Sequence, residues 1–296
     1  MTALAPGTPP AEVDVDAELV RRLLVAQHPD LADLPLSPVA NGWDNAMFRL
    51  GDDLAVRLPR RALAAPLAEV EQRWLPDVAV GLPLAVPAPV RTGEPGEGFP
   101  WRWSVVPWIP GRSADEAAVS PSEAAVMGAL LGAVHRPAPP GAPRNPYRGV
   151  PLADRADTMA ERLERLDGVP GFDRAGVERA WDAAVAEPLH EGVPVWIHGD
   201  LHPRNVLADG GRLTGVVDWG DMCGGDPATD LACAWMLFPV EAHGAFRDAY
   251  GGIDDVTWAR ARGWAVFFAV VLLDTGRIDD LAFETVARTT LRRLEV

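Results

Sequence analysis

The stretch HGDLHPRN, His198 to Asn205, sets two histidines four residues apart around a carboxylate. On a helix that spacing turns both imidazoles to one face, as a metal site requires. Gly199 and Pro203 break a helix, and the apolar VWI before His198 reads as a strand running into a loop. Off a helix the two rings need not converge, which argues against a zinc site. The loop's other polar groups then need a purpose: the carboxylate of Asp200 and the amide of Asn205. One hairpin later the apolar GVV ends at a second carboxylate, Asp218. A carboxylate free to take a proton, an amide oxygen and a further carboxylate make a hard oxygen set. Magnesium prefers such ligands and completes its shell with water and substrate phosphates. Phosphoryl transfer asks a protein mainly for positioning and charge neutralisation.

The rest of the chain bounds this reading. Its 296 residues, 48% hydrophobic and 23% charged, suit a soluble protein of one large domain or two lobes. With 42 acidic against 27 basic residues the net charge is −15, a poor match for nucleic acid or an anionic membrane and a better one for a cationic small ligand. All 27 bases are arginine, so there is no lysine anywhere. Two cysteines, Cys223 and Cys233, are too few for a disulfide framework and fit a reducing cytoplasm. No signal-peptide pattern is visible, and the longest apolar run, Trp264 to Leu273, is too short to span a bilayer.

Periodicity predicts an α+β protein of two lobes. A helix over DAELVRRLLVAQH is followed by strand-like pieces through NAMFRLGDDLAVRLPR, with a hairpin tip at GDD. A helix over LAAPLAEVEQRWLPDVA and strands at PAPVRTG and WRWSVVPW complete a small N-terminal lobe, residues 12–106. The hinge, 107–111, runs into the WIPGRS connector, and a mainly helical lobe occupies 112–296. Its first helix opens at SPSE, a capping box with Ser120 as cap and Glu123 three residues on. The HGDLHPRN loop and the following hairpin, NVLAD with LTGVVDW, fall in this second lobe.

HGDLHPRN, together with VVDWGDMCGGDPATDLA, resembles the aminoglycoside phosphotransferase/choline kinase-like family, a branch of the protein-kinase-like fold. The likeness extends to NGWDNAMFRLGDDLAVRLPRR and WSVVPWIPG, and so covers roughly residues 15–290. It implies a bilobal kinase-like fold and transfer of the γ-phosphate of ATP or GTP, with Mg2+, to an alcohol. By the resemblance Asp200 is the catalytic base, and Asn205 and Asp218 are the magnesium ligands. Asp230 braces the catalytic loop from the next helix, Asp226 shapes the turn before it, and His198 holds the loop. The hinge backbone recognises the purine through the carbonyl of Pro107 and the N–H of Ile109, with Val106 at the back wall. Proline lacks a donor but keeps its carbonyl, so Pro107 is compatible with that role.

The small lobe departs from the family pattern twice. The family's phosphate-contacting lysine is replaced by Arg57 in LAVRLPR, which stays charged and can fork onto two oxygens. Its expected partner is Glu71, which shares a helix face with Leu67, Trp74 and Leu75; Glu69 points the other way. In place of a glycine-rich loop there is only NGWDNA, whose Asn41, Gly42 and Asn45 are the candidates for covering phosphates. The acceptor is expected to meet the helical lobe, with Asp274, Asp279, Asp280 and Glu284 as candidate contacts for a cationic substrate. Antibiotic phosphotransferase, metabolite kinase for choline, an amino alcohol or a sugar, and nucleotide-binding pseudo-kinase all fit this pattern. The intact Asp200, Asn205 and Asp218 argue against the last.

Overall fold

The computed structural model describes residues 10–296, apart from the side chains of Ala40, Asn41 and Asp279. The small lobe begins with α1, Ala17–Gln27, capped by Asp16, whose carboxylate accepts from the N–H of Leu19. Five antiparallel strands follow: β1 (Leu36–Asn41), β2 (Asn45–Leu50), β3 (Leu54–Pro59), β4 (Arg91–Gly93) and β5 (Trp103–Pro107). They lie in the order β1-β2-β3-β5-β4, and α2, Ala65–Val78, connects β3 to the edge. Alternation decides what each face does. Phe48, Leu50, Val56 and Leu58 point to the side covered by Leu19, Leu23 and Leu24 of α1. Residues of opposite parity, Met47, Ala55 and Arg57, look into the cleft between the lobes.

The large lobe starts with β6, Arg112–Ser113, and α3, Ala124–Val134. The helices α4 (Ala156–Arg165) and α5 (Arg174–Val185) lead to β7, Val195–Ile197. Then come β8 (Val206–Asp209), β9 (Arg212–Val216) and β10 (Cys223–Gly225). β6, β8 and β9 form one small antiparallel sheet and β7 pairs with β10. Short helices α6 (Ala228–Leu231), α7 (Cys233–Leu237) and α8 (His243–Tyr250) precede α9 (Asp255–Asp279) and α10 (Leu281–Leu294).

α9 is longer than its apolar run implies. Its 25 residues are long and apolar enough to cross a membrane by length and composition, but two-thirds of its most apolar stretch (67%) is buried inside the lobe. Trp264, Phe267, Phe268 and Leu273 place it at the centre of the large core. The cores also divide differently from the chain. Leu75 and Val78 of α2 belong to the large-lobe core, and Ala85 bridges to Gly215 of β9. The cut after residue 106 therefore runs through packed contacts, because α2 and the segment behind it tie the two lobes together.

The capping box is only half formed. Ser120 Oγ accepts from the N–H of Ser122, but Glu123 does not turn back to the Ser120 backbone. Its buried carboxylate accepts from the N–H of Leu213 at 3.0 Å and so ties α3 to the β8–β9 hairpin. On the far side α3 packs against α8 through glycine. A Cβ on Gly128 would sit 2.2 Å from the carbonyl oxygen of Phe246, and one on Gly132 would sit 2.6 Å from that of Tyr250. Those contacts involve backbone, which cannot swing aside. Gly128→Ala should therefore lower stability by about 1–3 kcal/mol through overpacking, despite alanine's better helix propensity. Urea denaturation of the variant beside the parent checks this; equal midpoints would show that α8 yields freely.

Candidate active site

β3 and α2 bring two charges together in the small lobe. Arg57 Nη1 lies 2.9 Å from both Oε1 and Oε2 of Glu71, and both residues are buried. Arg57 Nη2 reaches across the cleft to Asp218 Oδ1 at 3.0 Å. The backbone N–H of Trp219 donates to Glu71 Oε1 at 2.9 Å. One guanidinium thus joins the β3 strand, the α2 helix and the turn after β9. Burial opposes the charge of Arg57, but Glu71 and Asp218 outweigh it and keep the group protonated. For Glu71 burial wins over Arg57 and raises its pKa. Asp218 itself is half exposed and has a left-handed backbone (φ 62°), an unusual conformation for a residue with a side chain. That kink ends the apolar strand and turns the carboxylate back toward Arg57.

The HGDLHPRN loop is held from behind. Buried Asp230 accepts from the N–H of His198 at 2.6 Å and of Gly199 at 2.8 Å. His198 is itself buried; its Nε2 lies 3.0 Å from the Val217 carbonyl and its Nδ1 accepts from the Asp200 N–H at 3.2 Å. Both ring nitrogens are therefore occupied, which fixes the neutral tautomer with the proton on Nε2. His202 caps a short 3-10 turn, Pro203–Asn205, accepting from the Arg204 N–H, and its Nε2 lies 3.5 Å from Asp200 Oδ2. No cluster of three or more histidine, cysteine or carboxylate ligands exists among the described residues. Gly199 (φ 87°) packs so close to the Asp221 carbonyl that a Cβ would sit 2.7 Å from it. Asp226 accepts from the Ala228 N–H and pairs with Arg260 at 2.8 Å, which shapes the turn into α6.

Asp200 points into the cleft beside Arg148, whose Nη2 lies 2.8 Å from Oδ1. Burial alone would raise its pKa; Arg148, with His202 behind it, overcomes this and holds the carboxyl well below the usual carboxylate range. Asn205 donates from Nδ2 to the Asp200 carbonyl at 2.9 Å, which leaves its amide oxygen as an acceptor. Asp218 gives Oδ1 to Arg57 and retains Oδ2. These oxygens suit Mg2+, which needs few protein ligands when phosphates supply the others.

These residues and the hinge line one cavity of about 680 Å³. Gly42 and Asn45 line it from the small lobe, where the Gly42 N–H donates to the Asn45 carbonyl and closes a tight turn. Arg61 pairs with Asp44 in the same turn. Val106, Pro107 and Ile109 form the hinge wall. Trp108 donates to the Asp53 carbonyl at 2.7 Å and so occupies the ladder-bonded position. Pro107 stands opposite Leu54 at the end of β5, and Ile109 follows beyond the strand.

The acidic residues expected to meet a cationic acceptor lie differently. Asp274 is buried, does not line the cavity, and is covered by Arg162 and Arg165, both at 2.8 Å. Glu284 pairs along its helix with Arg288. Asp280 lines the cavity but is paired with Arg204 and caps α10 through the N–H groups of Ala282 and Phe283. The side chains of Asn41 and Asp279 lie outside the described ones. Sequence reasoning missed Arg148, Asp221, Arg162, Arg204 and Phe283, all on the cavity wall. Arg204 and Asp221 stand inside the two quoted motifs but at positions given no role there; Arg148, Arg162 and Phe283 belong to no spaced pattern, so only the tertiary structure reveals them.

A profile of the phosphotransferase enzyme family matches residues 35–264, and the chain belongs to that family. An aminoglycoside 3'-phosphotransferase from Streptomyces fradiae is 32% identical over 177 residues, 56% of this chain and 63% of that protein. A homoserine kinase from Phenylobacterium zucineum (strain HLK1) is 31% identical over 233 residues, 73% of this chain and 67% of that protein. The chain spans less than two thirds of the length of the first of these relatives. Wild-type aminoglycoside 2'-phosphotransferase-IIIa, solved as its GDP complex, superposes with a TM-score of 0.69 at 18% identity, covering 95% of this chain and 99% of that one. The fold is therefore the bilobal α+β fold of these kinase-like enzymes.

Arg57→Met should lower stability by about 3–5 kcal/mol, because Glu71 stays buried without its cation. Adding Glu71→Leu removes the stranded charge and should recover most of that loss. Urea unfolding of the single and double variants checks this; additive losses would rule out a coupled pair.

Proposed function

We propose that the protein is a nucleotide-dependent small-molecule phosphotransferase that moves the γ-phosphate of ATP or GTP to an alcohol. One observation carries this reading: Arg57, shared by Glu71 and Asp218, sits in the same cavity as Asp200 and Asn205. That arrangement supplies a phosphate contact, oxygen ligands and a hydroxyl acceptor in one place. A nucleotide-binding module without activity needs no carboxylate poised at the acceptor side.

In this reading the nucleotide enters under the Gly42–Asn45 turn, and its base meets the Pro107 carbonyl and the Ile109 N–H, with Val106 behind. Arg57 forks onto phosphate oxygens and remains charged throughout, since its guanidinium does not deprotonate. Asn205 and Asp218 would hold Mg2+, which supplies charge neutralisation on the phosphates. Asp200 accepts a hydrogen bond from the acceptor hydroxyl and aims its oxygen along the line of transfer. A carboxylate held strongly ionised is a weak base, so its first task is orientation. It takes the proton late, when the hydroxyl has become acidic. Arg148 and His202 fix the carboxylate, and Asp230 fixes the loop beneath it.

The antibiotic and metabolite readings share this chemistry. Similarity to an aminoglycoside phosphotransferase supports the first, and the longer match to a homoserine kinase supports the second. The buried unpaired cysteines Cys223 and Cys233 suit a reducing compartment such as the cytoplasm.

Asp200→Asn should leave nucleotide affinity close to that of the parent and slow phosphate transfer by about 10²–10⁴-fold. A screen of purified protein over drug and metabolite alcohols, with ATP and GTP in parallel, identifies the acceptor and then measures the variant. Parent-like turnover in the Asn variant would remove the role assigned to Asp200.

A further inference from the structure

The acceptor end of the cavity is lined by three guanidiniums, of Arg148, Arg162 and Arg204, and three carboxylates, of Asp200, Asp221 and Asp280. Each carboxylate there already carries one partner, with a second oxygen of Asp200 and of Asp221 left over. Asp200 is held by Arg148, Asp280 by Arg204 and the first amides of α10, and Asp221 accepts from Asn145 Nδ2 at 2.7 Å. Asp221 is in addition pushed up in pKa by burial and by the nearby charge of Asp200, so it is a reluctant anion. Arg148 and Arg162 each give one edge to a protein carboxylate, and Arg204 gives Nη1 to Asp280 with its Nε 3.8 Å from Asp115. Among the described residues, Arg148 Nη1, Arg162 Nη2 and Arg204 Nη2 have no hydrogen-bond partner.

The remaining wall is apolar. Phe268 and Val271 of α9 and Phe283 of α10 line the cavity. The arginines lie along these rings: the Arg148 guanidinium is 5.2 Å from the centre of Phe268 and that of Arg204 is 4.4 Å from the centre of Phe283. A polyamine entering here would lose its hydration and meet three guanidiniums, while the carboxylates beside them are already partly neutralised by those same arginines, which is costly for a buried charge. An acceptor with an apolar body and an acidic or carbonyl oxygen would instead cover the rings and take the idle N–H groups.

Resting on the phosphotransferase reading of this cavity, we infer that the acceptor is an alcohol with an apolar body and an anionic or carbonyl oxygen recognised by Arg162 and Arg204, and not a polycation. The site selects against positive charge although the protein as a whole carries −15.

The test uses matched probes on the full chain with magnesium and a nucleotide present. 3-Phenyllactate and phenylalaninol share the ring and the hydroxyl and differ in carboxylate against ammonium; kanamycin supplies the polycation. Saturation-transfer NMR and calorimetry measure binding. Phenyllactate should bind at millimolar concentration at least ~10-fold more tightly than phenylalaninol, the effect of about one charge-assisted hydrogen bond. Arg162→Gln with Arg204→Gln should erase that preference, and the two lysine variants should keep part of it. Thermal denaturation verifies that each variant is folded. Tighter binding of phenylalaninol or kanamycin, no binding of phenyllactate, or a preference unchanged in the glutamine variants each overturns the inference. Phosphate transfer from nucleotide to any alcohol of the drug and metabolite screen, lost in Asp200→Asn, is followed separately. Its presence with the wrong probe preference sinks the acceptor class alone, whereas its absence with the right preference sinks the phosphotransferase reading alone.

Discussion

The guanidinium of Arg57 is the joint on which the two lobes meet. It satisfies Glu71 from the small lobe with one nitrogen and Asp218 from the large lobe with another. Neither carboxylate has a substitute cation, and Glu71 is too buried to stand alone. The Trp219 N–H then ties the Asp218 turn back to Glu71. Strand, helix and turn are thus held to one another through four groups within hydrogen-bonding distance. Any shift of α2 must be felt at Asp218, because no flexible element lies between them.

Behind this joint stands a second, quieter scaffold. Asp230 gathers two successive backbone N–H groups and positions the loop that carries Asp200 and Asn205. His198 joins the same loop to the Val217 carbonyl, one residue before Asp218. The two halves of the site, the HGDLHPRN loop and the turn after β9, are therefore one rigid unit built on buried hydrogen bonds. Low-dielectric surroundings strengthen these bonds and make each one expensive to lose. Cleft residues keep open coordination positions while their supports are fully satisfied.

Much of this was legible in the order of residues. The alternation in NAMFRL and LAVRLP places Arg57 on the cleft face, and helical spacing turns Glu71 rather than Glu69 inward. The loop at HGDLHPRN and the hairpin after it follow from Gly199, Pro203 and the apolar runs. What escaped notice depends on tertiary packing. Glu123 looks like half of a capping box, but the Ser120 N–H is given to the Gly211 carbonyl and the Leu213 N–H takes the carboxylate. Asp274 looks like a solvated acid on a helix, yet α4 lays two arginines across it. The far wall of the cavity comes from Arg148, Arg162, Arg204 and Phe283, which arrive from separate elements, and only Arg204 stands in a motif. Local pattern reads faces and loops; it does not read which distant side chain arrives.

The replacement of lysine by arginine at residue 57 also changes the reactivity of the cleft. A lysine amine loses its proton readily when buried and then attacks acyl, sulfonyl or aldehyde groups. Arg57 does not present that nucleophile, and with no lysine in the chain nothing else in the cavity offers an ε-amine. Electrophilic nucleotide analogues that anchor on such an amine would occupy this pocket only reversibly. Their usefulness would rest on shape and charge, with the covalent bond unavailable to them.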